Sequence, residues 1–290
     1  MSLNKYSSIK KEKNINNIKK PLLNIRKKID IIDNKVHDLL MLRADLVLDV
    51  IKLKRKESTI NEVIYRPARE HEILIRLIKR HKGEISIKAL ISIWRNIIST
   101  YISIQGEFKV TFSGNIEEEV KNYFSSDIKL IKSKSSLISL KNIDSNKVDI
   151  AILPFPNKFN DWWSKLDRFK GIFIIGGLLD SKSLSPKALM LSKQEIEYSA
   201  NNSALYTLKI DTKNIKKYSQ FLSHKGYTFI AKKIKTSSKS IILFSTKVFS
   251  ELDHKNKLIT LKNFELDKSL EPNYIGAFAF VDKAVLNEKI

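Results

Sequence analysis

The chain has 290 residues, of which 42% are apolar, so it is long enough to bury the cores of two domains. It contains no cysteine, which excludes disulfides, thiolate metal sites and cysteine nucleophiles, and which fits a cytoplasmic location. The five histidines show no metal-ligand spacing, so we expect no metal site. No apolar run reaches the length of a membrane-spanning helix, and we expect no membrane partner.

The formal net charge is +22 at pH 7, which raises the question of nucleic-acid binding. The lysines are spread along the whole chain rather than gathered in one block with interleaved aromatic residues. Frequent Lys, Asn and Ile are also what A/T-rich codons produce. We therefore favour a compositional origin for the charge, useful for attracting anionic metabolites, and keep nucleic-acid binding as an alternative.

Residues 1–20, MSLNKYSSIKKEKNINNIKK, predict a poorly ordered basic tail, because the segment is polar and lacks the apolar core of a secretory signal. Residues 22–56 predict one long amphipathic helix. Its apolar residues recur every three or four positions, as in a single buried stripe. They are Ile25, Ile29, Ile32, Val36, Leu39, Leu40, Val47, Val50 and Leu53.

Three cations, Arg26, Arg43 and Lys54, lie on or beside this stripe, where a charge is costly unless it is matched. On a regular helix Arg43 and Lys54 are roughly 16 Å apart and within about 20° of the same direction, so both could hold one small anion. Arg26 lies roughly 25 Å from Arg43, which is too far for the same ligand. We infer that Arg26 serves a second copy of the site, and therefore that the chain forms a dimer.

Two shorter helices follow the first. Pro67 suits the first turn of one that ends near Gly83, and Ser86 is a good N-cap for another that Gly106 closes. Residues 21–107 are therefore predicted to form a three-helix domain. The long helix has more apolar surface than two short helices can cover, which again favours an interlocked helical dimer.

Further polar residues belong to the same predicted interior: Arg69 and Glu70 begin the second helix, and Gln105 ends the third. With Arg43 and Lys54 they would form a cation-rich pocket that has one carboxylate and one amide. Such a pocket suits a dianionic small molecule that bears a hydroxyl. It has no nucleophile, no metal and no obvious base for proton transfer.

From Phe108 onward, short apolar segments of strand length alternate with helical segments, which predicts an α/β domain over residues 108–290. One arrangement of this domain has two lobes, with the chain crossing between them near residues 180–200. Within this domain Trp162 and Trp163 either stack on a ligand in a cleft or anchor a lobe. The fold class is thus multidomain, with an α part followed by an α/β part.

The pattern IRKKIDIID, LLMLRADLVLDVIKLK, YRPAREHEILIRLI and IWRNIISTYISIQ resembles the all-helical (type II) chorismate mutase family over residues 22–106. The resemblance implies an intertwined dimer that rearranges chorismate to prephenate in phenylalanine and tyrosine biosynthesis, without a cofactor. A pericyclic step of this kind is accelerated by holding the reactive conformer and stabilising the charge that develops.

The roles that the resemblance implies can be assigned residue by residue. Arg43 and the partner's Arg26 would clamp the substrate carboxylates, while Lys54 and Gln105 would donate to the ether oxygen. Glu70 would hold the ring hydroxyl, and Arg69 would orient the neighbouring carboxylates. The chain departs from the family pattern in two places, where Arg66 replaces an acidic residue and Tyr101 replaces a small hydroxyl residue.

Two alternatives to the chorismate mutase interpretation stay open. One is an isochorismate-pyruvate lyase, which uses a nearly identical pocket on the same fold. The other is a non-catalytic binding or regulatory protein. Sensing of an aromatic amino acid by the C-terminal part would be compatible with the mutase reading.

The α/β region bears a weaker resemblance to the prephenate dehydratase domain, through the strand and turn of VDIAILPFPN. This resemblance implies a periplasmic-binding-like α/β fold. Ala204 and Leu205 lie where the family's Thr-Arg-Phe motif requires Arg and Phe. We therefore expect a diverged domain without dehydratase activity, and its ligand stays open.

Overall fold

The computed structural model describes residues 3–56, 65–180, 185–194, 197, 202–248, 253, 256 and 272–279. For residues 3–19 and 54–56 it describes the backbone alone. The chain divides into two compact units, Met1–Glu62 and Val63–Ile290.

The first unit contains one helix, α1, which runs from Leu3 to Lys56 and is about 80 Å long. It begins 19 residues before Leu22 and so includes residues 3–20, for which the sequence pattern predicts a poorly ordered basic tail. The reason is local, because the segment before Pro21 has no proline or glycine to stop a helix. Pro21 lies inside the helix.

Most of the apolar stripe of α1 is exposed on this chain. Ile25, Ile32 and Leu39, for example, are 54%, 57% and 64% exposed. An apolar helix face of this length is stable in water only when another surface covers it.

The second unit begins with the other two predicted helices, α2 (Pro67–Arg80) and α3 (Ile87–Gln105). Pro67 opens α2, and the hydroxyl of Ser86 caps α3 by accepting a hydrogen bond from the Ala89 backbone N–H at 3.2 Å. These helices confirm the sequence prediction. They pack on one another through a small apolar cluster, made of Leu74, Ile78, Ile87 and Leu90.

The rest of the unit is built on one nine-stranded sheet. Its first half contains β1 (Lys109–Phe112), β2 (Lys129–Lys132), β3 (Ile150–Pro154), β4 (Phe173–Leu179) and β5 (Pro186–Ser192). Helices α4 (Glu117–Tyr123) and α5 (Ser136–Asp144) connect the parallel strands β1, β2 and β3, whereas β5 runs antiparallel to β3 and β4.

The second half contains β6 (Asn202–Asp211), α6 (Ile215–His224), β7 (Thr228–Ile234), β8 (Lys239–Val248) and β9 (Asn273–Phe278). All neighbouring strands in this half are antiparallel. The strands of the whole sheet lie in the order β2-β1-β3-β5-β4-β9-β6-β8-β7. The order of the second half, β9-β6-β8-β7, is that of a split βαβ arrangement. The α/β class predicted from the sequence is confirmed, but in the described residues one continuous sheet replaces the two lobes that were considered.

The two halves of the sheet meet at a single register pair, in which Ile174 of β4 lies beside Gly276 of β9. A Cβ atom on Gly276 would come within 2.2 Å of the Ile174 carbonyl oxygen, and the Gly276 φ is +133°. Only glycine fits this approach. Continuity of the sheet therefore depends on one residue without a side chain.

Apolar clusters cover both faces of the first half of the sheet. Trp162 and Trp163 are 3% and 1% exposed and belong to one of them, and the Trp162 indole N–H donates to the Pro154 carbonyl oxygen at 2.8 Å. Both indoles therefore anchor the fold, and Trp163 also lines an adjoining cavity of about 690 Å³. The other cluster includes Tyr65 and Ile102, so the segment before α2 and the end of α3 pack on the sheet.

This packing explains why α2 and α3 fall in the same compact unit as the sheet. The sequence pattern predicts these helices in one domain with α1 and a boundary after residue 107. The apolar residues of α3 are used here to cover the α/β core. Within the single chain, the contact boundary therefore precedes α2.

Candidate functional site

The six predicted site residues are distributed over both units. Arg26 and Arg43 belong to α1, where Arg26 is exposed and Arg43 is half-buried. The side chain of Lys54 lies outside the described residues. Arg69, Glu70 and Gln105 belong to the second unit, on α2 and α3.

Glu70 is the centre of a buried polar cluster in the second unit. Because Pro67 begins α2, Glu70 lies in the first helical turn, and its side chain is only 5% exposed. The Tyr123 hydroxyl of α4 donates to its Oε1 atom at 2.6 Å. The Arg95 Nε of α3 reaches the same oxygen at 3.4 Å. A buried carboxylate is stable when donors and a cation compensate it in this way.

Tyr65 extends this cluster on the other side. Its hydroxyl lies 2.7 Å from the Tyr123 hydroxyl and 3.3 Å from Glu70 Oε2. Each hydroxyl has one proton, and Tyr123 uses its proton for Glu70. The short contact therefore runs from the Tyr65 hydroxyl to the Tyr123 oxygen, which gives a chain of donors that ends on the carboxylate. We name Tyr65, Glu70, Arg95 and Tyr123 the Glu70 cluster.

Both tyrosines of the cluster are strongly held in the neutral form. Burial raises the pKa of Tyr65 and of Tyr123 well above the ordinary value of 10.0, and the negative charge of Glu70 raises both further. The guanidinium of Arg95 stacks over the Tyr123 ring, with 4.3 Å between its central carbon and the ring centroid. The hydroxyls thus remain donors throughout the neutral pH range.

The free space beside the cluster is small. The cavity lined by Glu70, His71, Arg95 and Tyr123 amounts to about 20 Å³, which is the space of roughly one water molecule. Gly176 of β4 faces Pro67 across this cavity and leaves only 3.3 Å for a Cβ atom. In this arrangement the cavity has no room for a metabolite.

Arg69 and Gln105 have other partners. Arg69 is exposed and pairs with Glu72 at 3.1 Å, one helical turn further along α2. The Gln105 side-chain amide donates to the Tyr101 carbonyl oxygen of its own helix at 3.2 Å. The structure therefore does not bring Arg69 and Gln105 into the Glu70 cluster.

The two departures from the family pattern also have defined positions. Arg66 donates from its Nε to Glu197 at 2.6 Å, and Glu197 lines the small cavity beside the Glu70 cluster. Tyr101 is buried, with 6% of its surface exposed.

Tyr65, Arg95 and Tyr123 were missed as functional candidates. Arg95 had a signal, because it is a cation in the middle of a largely apolar helix, beside Trp94 and Ile98. The tyrosines had none, since Tyr65 and Tyr123 are 58 residues apart and no local pattern relates them. Among the residues that the structure describes, no group of three potential ligands could hold a metal ion. None of the described helices is long and apolar enough to cross a membrane.

Residues 25–106 match the family model described as chorismate mutase type II, which confirms the resemblance inferred from the sequence. The bifunctional chorismate mutase/prephenate dehydratase of Aquifex aeolicus is 35% identical over 97 residues, which are 32% of this chain and 26% of that protein. The protein of the same description from Pseudomonas aeruginosa is 29% identical over 92 residues, with 31% and 25% covered. The chain thus aligns with about a quarter of the length of these relatives.

Prephenate dehydratases are among the solved structures similar to this chain. The enzyme from Streptococcus mutans gives a TM-score of 0.45 at 11% identity and covers 59% of this chain and 97% of its own. The enzyme from Arthrobacter aurescens, solved in complex with L-Phe, gives a TM-score of 0.44 at 10% identity, with 60% and 91% covered.

Proposed function

We propose that the protein is a chorismate mutase, which converts chorismate to prephenate in aromatic amino acid biosynthesis. The observation that carries this proposal is the family match over residues 25–106. That segment contains the whole predicted set of polar residues, which are Arg26, Arg43, Lys54, Arg69, Glu70 and Gln105.

The proposed mechanism needs no covalent step and no cofactor. Arg43, with the partner's Arg26, fixes the two carboxylates of the substrate in the folded conformer, since a planar guanidinium matches a carboxylate well. Lys54 and Gln105 donate hydrogen bonds to the ether oxygen, where negative charge grows as the bond breaks. Glu70 accepts a hydrogen bond from the ring hydroxyl.

The proposal includes a dimer. The exposed apolar stripe of α1, with Ile32 57% and Leu39 64% exposed, supports pairing with a second copy, because such a stripe is stable when it is covered. The separation of Arg26 from Arg43 along one helix, roughly 25 Å, is the second support. Arg26 then completes a site on the partner chain.

We do not extend the proposal to dehydratase activity. The positions where the Thr-Arg-Phe motif requires Arg and Phe are Ala204 and Leu205, which are fully buried in β6. Apolar side chains there contribute to the core and offer no group for acid–base chemistry or anion binding. Incubation of the protein with prephenate should therefore give no phenylpyruvate.

The direct test is incubation of the full chain with chorismate and identification of the product. Prephenate is the expected product, and Arg43→Ala should reduce kcat/KM by at least about 10³-fold, because the substrate clamp is lost. Lys35→Ala, which removes an exposed lysine of the same helix, is the matched control and should leave activity unchanged. Salicylate with pyruvate would instead identify an isochorismate-pyruvate lyase when isochorismate is supplied.

A further inference from the structure

The Tyr123 hydroxyl makes the same interaction with Glu70 that the proposed function requires of the substrate. In both cases a neutral O–H group donates a hydrogen bond to the Glu70 carboxylate. The Tyr123 bond, at 2.6 Å, has the short length of a hydrogen bond to a charged oxygen. Tyr123 lies on α4, outside the segment that matches the mutase family.

The substrate cannot be added to this arrangement. Glu70 is 5% exposed, and the free space beside it is about 20 Å³, enough for roughly one water molecule. The second carboxylate oxygen faces the Tyr65 hydroxyl at 3.3 Å. For a substrate hydroxyl to reach Glu70, the contact between Glu70 and the tyrosines must open.

The cluster has the properties of a stable closed state. Arg95, whose side chain is 19% exposed, matches the charge of the carboxylate. The tyrosines come from the segment before α2 and from α4, so closing the cluster fixes the start of α2 against the α/β core. When the cluster opens, the buried Glu70 carboxylate loses the hydrogen bond from the Tyr123 hydroxyl, which is its shortest.

We propose that Tyr123 is a positioning residue that holds Glu70 withdrawn, so that the substrate hydroxyl and the Tyr123 hydroxyl compete for the same carboxylate. This inference rests on the proposed mutase function and deepens it. The α/β part of the chain then sets the fraction of molecules that can bind substrate. When only that fraction is competent, the apparent affinity is reduced in proportion.

The test is a steady-state comparison of the full-length wild type with Tyr123→Phe. Phenylalanine keeps the ring beneath Arg95 and removes only the hydroxyl, while Tyr65 still offers a donor to Glu70. We expect the KM for chorismate to fall at least threefold with kcat unchanged. The double variant Tyr65→Phe/Tyr123→Phe should lower KM further, since no tyrosine hydroxyl then competes.

Tyr227→Phe is the matched control. It also removes a buried tyrosine hydroxyl, with 7% of the residue exposed, but from the apolar cluster of the second half of the sheet. Its KM should equal that of the wild type. A KM for Tyr123→Phe that is unchanged or higher would overturn the inference, because Tyr123 would then be irrelevant to Glu70 or would support its active position.

A second measurement uses the wild type alone and does not depend on how well the variants fold. Hydrogen–deuterium exchange of the α4 amides is followed with and without saturating prephenate. Displacement of Tyr123 predicts faster exchange in α4 when prephenate is bound, and unchanged or slower exchange contradicts it. If the wild type neither converts chorismate nor binds prephenate, the proposed function itself fails. If it converts chorismate and Tyr123→Phe has an unaltered KM, only the inference about Tyr123 fails.

Discussion

The Tyr123 hydroxyl donates a 2.6 Å hydrogen bond to the carboxylate of Glu70, 53 residues earlier in the chain. The bond joins α4 of the α/β sheet to the first turn of α2. It makes the only carboxylate of the predicted mutase pocket a structural part of the second unit. Glu70 therefore has two roles to reconcile, one in folding and one in the proposed catalysis.

The energetic importance of this carboxylate can be measured with Arg95. Glu70→Gln and Arg95→Met should each lower the free energy of unfolding by about 2–4 kcal/mol, because each leaves a largely buried charge without its partner. The double variant should lose less than the sum, with a coupling of about 1–3 kcal/mol, as expected for residues in direct contact. Urea unfolding of the four proteins gives these values.

The exposed pair Arg69 and Glu72 provides the control for that cycle. Its side chains are 57% and 51% exposed, and an ion pair in water contributes little. Arg69→Met and Glu72→Gln should show a coupling below about 0.5 kcal/mol. Additive effects at Glu70 and Arg95 would contradict a coupled buried pair.

The dimer predicted from α1 can be tested by complementation. Arg26→Ala and Lys54→Ala should each inactivate the chain, since each removes one side of every site. When the two variants are co-expressed, a heterodimer has one site with both residues mutated and one site intact. Random pairing should restore about a quarter of the wild-type activity. Co-expression of two differently tagged Lys54→Ala chains is the control and should give no activity. If the Arg26→Ala and Lys54→Ala chains together also regain no activity, a site shared between two chains is ruled out.

The junction of the sheet halves depends on Gly276. Gly276→Ala should lower the free energy of unfolding by roughly 2–4 kcal/mol, since the new Cβ atom meets the Ile174 carbonyl and the φ of +133° is strained for alanine. Gly171→Ala is the control, because Gly171 also has a positive φ of +78° but open space around it, so only about 1–2 kcal/mol of backbone strain is expected. Equal losses in thermal or urea unfolding would show that the junction is not tight.

The Glu70 cluster predicts a loss of stability at alkaline pH. The pKa of Tyr65 and of Tyr123 is raised above the ordinary 10.0, first by burial and then by Glu70. The unfolded chain therefore releases these protons at lower pH than the folded chain, and stability falls as pH rises above about 10. Unfolding measured from about pH 8 to pH 11 should show this decline. Tyr65→Phe/Tyr123→Phe should flatten it, whereas an identical slope would place the alkaline sensitivity elsewhere.

The sequence predicted features that depend on near neighbours. The bounds of α2 and α3 follow from Pro67, Ser86 and Gly106, whose effects act within one helical turn. The sequence also proposes Arg26, Arg43 and Lys54 as site residues, because they lie on or beside the apolar stripe of the first helix, and their shared site stays a prediction. The family match over residues 25–106 confirmed the resemblance.

Only the tertiary structure decided what Glu70 contacts and how the second unit is assembled. Tyr65, Arg95 and Tyr123 meet Glu70 because α2, α3 and α4 pack against the same sheet, and no periodicity links residues so far apart. The single pair of Ile174 and Gly276 likewise joins strands about one hundred residues apart. A helix or strand pattern indicates which face of an element is apolar. The partner of a buried polar group is instead selected by the packing of distant elements, because a donor that is removed from water must find an acceptor within the protein.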